Sequence, residues 1–161
     1  MPPPLKPGTP LTKADIAARI PHQGALCLLD CVTHWDALRI ECLAISHRAA
    51  DNPLRRQGRL GAVIGIEYAA QAMAVHGALL AERDAPPKKG LITRVQQVQW
   101  HTERLDGCTA PLSITAERLM GDARMVRSAR PPCLNPSGLS PFAPPQRYPS
   151  CPHLMPPCPP R

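Results

Sequence analysis

Between Leu60 and Glu82 the chain runs "LGAVIGIEYAAQAMAVHGALLAE", without a proline in a protein that has 22 of them. Alanine, leucine and methionine favour helix, so this stretch predicts one long helix that the rest of the domain must accommodate. Its length would suit a membrane span. Glu67, Gln71 and His76 lie inside it, however, and its many Ala and Gly residues make it only weakly apolar. A charge near the middle of a lone span is costly, so the reading is a buried central helix and no membrane span.

Short elements flank that helix. Thr12 and Asp15 have the spacing of a capping box, which predicts a helix over 13–20 that Pro21 ends. The apolar run Leu26 to Val32 and the alternating "ALRIECLAIS" (37–46) read as a hairpin turning at "THWD". After the long helix, Leu91–Trp100 and Pro111–Met120 read as strands. Gly121–Asp122 makes a turn into "ARMV", a strand that proline and serine soon interrupt. The element order is helix, β, β, long helix, β, β and an interrupted β, within a single domain over 13–126.

Both ends differ from that body. Residues 1–12 read as a flexible N-terminus, with no continuous apolar stretch of a secretory signal. Residues 127–161 read as a disordered Pro/Cys/Arg-rich tail. The net charge is +7, yet all twelve acids lie at or before Asp122. Fifteen Lys and Arg up to Arg124 leave the body at +3, and four more arginines fall in the acid-free tail. So abrupt a change has the look of a shifted reading frame in GC-rich coding sequence, and it implies that the sheet lacks its final strand and leaves the edge of 111–120 open. With Trp35, Tyr68 and Trp100 as the body's only aromatics, neither stacking platform nor basic face is established, and nucleic acid is not an expected partner. An odd number of cysteines, seven, and the absence of an export signal predict reduced thiols and a cytoplasmic protein.

Two constellations carry chemistry. Cys27, Cys31 and His34, with Cys42 and His47 further on, offer soft ligands for zinc. On a strand, Cys27 and Cys31 would stand about 13 Å apart, far from the roughly 2.3 Å that each Zn–S bond requires. Packing thiols are the better reading, and no metal is expected. The second constellation is Glu67 and Gln71, four apart and so on one helix face. A carboxyl among apolar neighbours has its charged form disfavoured and can serve as a general acid. The alternative is that Glu67 pairs with Arg55, Arg56 or Arg59 of the preceding loop.

"IPHQGALCLLDCV" (20–32) resembles the opening of bacterial 3-hydroxyacyl-acyl-carrier-protein dehydratases, where Pro-His precedes an apolar run ending in Asp. "GIEYAAQAMAVHG" (65–77) resembles their central helix, with Glu67, Ala70 and Gln71 meeting the Glu-x-x-Ala-Gln pattern. The similarity is greatest to the aryl-polyene-type branch of the hotdog superfamily. It implies an α+β hotdog fold, an antiparallel sheet wrapped around one long helix, which pairs into homo- or heterodimers. It also implies elimination of water from a 3-hydroxyacyl thioester, without a cofactor, on an acyl-carrier protein or other acyl thioester. Glu67 then matches the carboxyl that protonates the departing hydroxyl. Gly61, Ala62 and Gln71 are the expected substrate contacts, Gly61 and Ala62 at the helix start holding the thioester oxygen. Arg55, Arg56 and Arg59 are placed to meet an acidic carrier.

The chain departs from that pattern at the base. Better-known dehydratases carry a histidine in a Gly-His-Phe-Pro stretch before the acid, whereas here "NPLRRQGRLGAV" sets Arg59 after Gly58. A guanidinium cannot take the proton. His22, and after it His47, is the remaining base, with a structural brace as the other role for His22. A non-catalytic partner subunit is the competing function, and a thioesterase using water beside Glu67 a more distant one.

Overall fold

The structure, a computed structural model, describes residues 5–81, 98–99, 101–118 and 124–130. The chain enters through β1 (Leu11–Thr12) and α1 (Lys13–Ala17), then forms β2 (Cys31–Trp35) and β3 (Arg39–Ala44). A 3₁₀ turn at Ala62–Ile64 leads into α2 (Gly65–Leu80), and β4 (Leu112–Arg118) and β5 (Arg124–Arg130) complete the described elements. The strands make one antiparallel sheet in the order β1-β2-β3-β4-β5, with α2 packed against β3, β4 and β5. An antiparallel sheet against one long helix is an α+β architecture compatible with the hotdog fold.

Tyr68, Ala72 and Val75 turn one stripe of α2 into the core, where they meet Val32, Ile40, Ile114 and Ala116 from the sheet. By length and composition alone, Ala62–Leu80 would also suffice to cross a membrane, a test that a core helix passes equally well. The other flank is tied down by polar contacts, as in His76 Nε2 to the Asp36 carbonyl at 2.7 Å. The capping box forms as its spacing predicts: Thr12 Oγ1 accepts from the Asp15 amide, and the Asp15 carboxylate accepts from the Thr12 amide. Those bonds hold the Asp15 carboxyl below its ordinary range, its contact with the Thr12 hydroxyl foremost.

Several boundaries differ from expectation. The segment before α1 is a strap rather than a free end: Leu11 is fully buried, the Trp35 indole donates to the Thr9 carbonyl, and the Gly8 amide bonds to the Trp35 carbonyl. α1 ends at Ala17, three residues short of Ile20. The run from Leu26 is not a strand. Cys27 to Asp30 are buried in succession, not alternately, because a loop there is enclosed on both sides; β2 starts only at Cys31 and takes in Thr33 to Trp35, which were expected to turn. β5 runs to Arg130, past the expected limit at 126, and pairs along β4, so the edge of β4 is not open. The expected strand over 91–100 and turn at 121–122 lie almost wholly outside the described residues, as do residues 131–161.

Cys27 belongs to the main core, whereas Cys31 packs with Leu43 in a separate cluster. Cys27 and Cys42 are free thiols, but Cys31 is disulfide-bonded, so the expectation of reduced cysteines does not extend to it. No three His, Cys, Asp or Glu side chains gather to hold a metal among the described residues.

Candidate active site

The loop that carries His22 is sewn to α2 and to the end of β3. Gln23 Nε2 donates to the carbonyls of Ala17 and Ile20, which closes the chain directly after α1. Further along, the Leu28 amide donates to Gln71 Oε1 at 2.9 Å, and Gln71 Nε2 donates to the Leu26 carbonyl at 2.9 Å. Ser46 Oγ donates to the Leu28 carbonyl and in turn meets the Tyr68 hydroxyl at 2.8 Å. Asp30 ends the loop, taking Lys13 Nζ on one oxygen and the Ile45 amide on the other. The Pro-His…Asp segment is thus a fixed ledge across the helix.

That ledge sets His22 against Glu67. His22 Nε2 stands 3.4 Å from Glu67 Oε1, slightly longer than a hydrogen bond. The same Glu67 oxygen accepts from Gln71 Nε2 at 3.0 Å. Both side chains are partly open to solvent, 33 % for His22 and 38 % for Glu67, so the apolar enclosure expected of the carboxyl is not present. His22 Nδ1, by contrast, is buried with no described partner. Leu26 and Val63 are exposed beside the pair, Leu26 through the carbonyl that shares Gln71 with Glu67, Val63 four residues before Glu67.

The other expected site residues fall into different places. Gln71 is buried, and both its amide hydrogens are given to the protein, so it positions the ledge and Glu67 in place of the substrate contact expected of it. Ala62 cannot offer its amide to a thioester, because that N–H donates to the Glu103 carbonyl at 2.9 Å. The Gly61 and Val63 amides donate to no described residue, and a shallow groove runs along Gly61, Ala62, Val63, Thr102 and Glu103. His47 is wholly buried with Nε2 on the Cys108 carbonyl at 3.0 Å, which removes it as a base beside Glu67.

Among the described residues no arginine takes Glu67. Arg55 instead reaches Asp106 at 3.1 Å and gives its remaining donors to the carbonyls of Ala49, Gly58, His47 and Arg48. It is an internal clamp, unavailable to a carrier. Asp106 also accepts from Arg104 and from the Leu60 amide, which fixes the approach to α2. The hydrogen bonds from Arg104, with the Leu60 amide adding to them, hold the Asp106 carboxyl far below the ordinary carboxylate range. Arg56 and Arg59 stay exposed at the ends of a two-residue turn closed by reciprocal amide–carbonyl bonds. Gln57 and Gly58 both have positive φ there, the backbone of a tight hairpin that favours glycine at position 58. Asp106 is the residue that sequence reasoning missed. Its only local signal was an acid after two residues of mixed charge, and the partner that matters lies 51 positions away.

Among curated proteins and among solved structures, no match to the chain is found. Residues 14–128, most of the chain and both motif segments, match the family described as ApeP-like, ApeP dehydratase, and to this dehydratase family of the aryl-polyene type the chain belongs.

Proposed function

We propose that this hotdog-fold chain removes water from a 3-hydroxyacyl thioester, borne on an acyl-carrier protein, to give a 2-enoyl thioester for fatty-acid or polyene lipid synthesis. The observation that carries the reading is the contact between His22 and Glu67 at 3.4 Å. Two groups able to move protons, 45 positions apart, meet at a partly open surface flanked by exposed Leu26 and Val63, in a member of a dehydratase family. The apolar pair suits an acyl chain or a second protomer, and the helix start can receive the thioester oxygen through the Gly61 and Val63 amides. Arg56 and Arg59 remain to meet an acidic carrier.

A partner-subunit reading also has an observation in its favour: the loop before α2 supplies no histidine, and its arginine clamp is structural. A single assay separates the two. The chain is incubated with 3-hydroxyacyl-carrier substrate and the 2-enoyl product followed by mass spectrometry. The wild type converts it, and Glu67→Gln lowers kcat/KM by roughly 10²–10⁴-fold. A wild-type chain that binds the carrier, or an active dehydratase, but leaves substrate unchanged overturns the enzyme reading in favour of the subunit.

A further inference from the structure

Within the dehydratase reading, on which this inference rests, the surroundings of the His22 ring assign the two proton transfers. His22 Nδ1 is buried with no acceptor among the described residues, while Nε2 faces Glu67 Oε1. A neutral imidazole carries one N–H and one lone pair. Buried Nδ1 goes unpartnered in either tautomer, so Nε2 decides between them: a hydrogen there points at the Glu67 oxygen 3.4 Å away, whereas a lone pair there would oppose the carboxylate. The proton of the neutral ring therefore belongs on Nε2 and points toward the carboxylate. For His22 to accept a substrate proton at Nε2, the ring must carry the orphaned Nδ1–H both before and after the transfer.

Glu67 is arranged in the complementary way. The side-chain nitrogen of Gln71 is always a donor, so Oε1 is held as an acceptor by Gln71 at 3.0 Å and faced by His22 at 3.4 Å. Oε2 makes no hydrogen bond to a described residue, and any proton that the carboxyl gains therefore goes to Oε2.

We infer that Glu67 carries both protons of the dehydration through Oε2, and that His22 is a positioning residue that donates from Nε2 and takes no proton from substrate. Oε2 removes the C2 proton, and the C–H electron pair becomes the thioester enolate. The enolate pair then forms the C2=C3 double bond as the C3–O bond breaks. The proton on Oε2 passes to the departing hydroxyl, water leaves, and Glu67 returns to carboxylate. Because one oxygen serves both events, hydrogen and hydroxyl leave from the same face.

Glutamine tests this division, since its amide can donate as Nε2–H does but cannot accept a proton. In the full chain, His22→Gln keeps kcat within about tenfold of wild type, whereas His22→Ala and Glu67→Gln fall much further, Glu67→Gln by roughly 10²–10⁴-fold. Nitrogen-15 NMR of the neutral form of the wild-type imidazole, which needs no variant to fold, shows Nε2 protonated and Nδ1 bare. An active wild type with an Nδ1–H ring, or a His22→Gln variant as inactive as Glu67→Gln yet folded by circular dichroism, overturns the inference and leaves the dehydratase reading standing. A wild type inactive on 3-hydroxyacyl thioesters overturns that reading, and the division of protons falls with it.

Discussion

Replacing Gln71 by leucine isolates the cost of unpinning the ledge while keeping the side chain's size. The fully buried Leu28 amide loses its acceptor, Gln71 Oε1. An orphaned buried donor costs about 1–3 kcal/mol. The Leu26 carbonyl loses a donor too, but Leu26 is about half exposed and water replaces it at little expense. Glu67, also partly open, is re-solvated likewise. Leucine's greater apolarity offsets a fraction, leaving a net loss of about 2 kcal/mol. With an m-value of roughly 1–3 kcal/mol/M, the urea midpoint falls by about 1 M at unchanged m. Exchange of the Leu28 amide with deuterium accelerates about thirtyfold where it proceeds by local opening. Gln71→Glu is the informative control, because it retains the acceptor for Leu28 but loses the donor to Leu26 and sets a second carboxyl against Glu67. An unchanged midpoint in Gln71→Leu, with Leu28 exchange as slow as in the wild type, refutes the claim that this one amide fixes the ledge.

Asp106→Ala strands the Arg55 guanidinium, which is 14 % exposed, and is expected to cost about 3 kcal/mol in urea unfolding, near the lower limit for a broken buried pair because Arg104 is half exposed. The folded Asp106 carboxyl titrates below its unfolded value of about 3.9, so its contribution is present above that pH and is lost as pH falls from there through the lower folded value; the variant lacks this part of the acid slope, and an identical slope refutes the assignment. Burial of His47 lowers the proton affinity of its ring, so the unfolded chain, titrating near about 6.5, takes up that proton first. Stability therefore declines as pH falls below about 6.5, measured as the urea midpoint at pH 8 and 5.5, and His47→Gln flattens the difference.

How much of this was legible depended on the range of each interaction. The Thr12–Asp15 capping box needs four adjacent residues, and its pattern identified it correctly. α2 announced itself by composition, although its first turn is 3₁₀ and its α-helical part begins five residues after Leu60. The ledge over 26–30 failed as a strand because the Leu28 amide and carbonyl bond to side chains, Gln71 and Ser46, that local periodicity does not register. The candidate site was legible through motif resemblance: nothing near His22 in sequence indicates Glu67. The arginine loop misled for the same reason. A string of cations looks solvated or carrier-facing until the fold returns Asp106 to Arg55.

The N-terminal strap also decides where the domain can be cut. A shortened chain beginning at α1 would look reasonable from its proline-rich leader, yet it would remove Leu11 and Thr12 from beside Val32 and Cys31 and the Thr9 carbonyl from the Trp35 indole. The naked margin of β2 would then be free to recruit a strand from another molecule, which promotes aggregation. Those few residues are a selvedge, a finished border that keeps the sheet from unravelling into its neighbours.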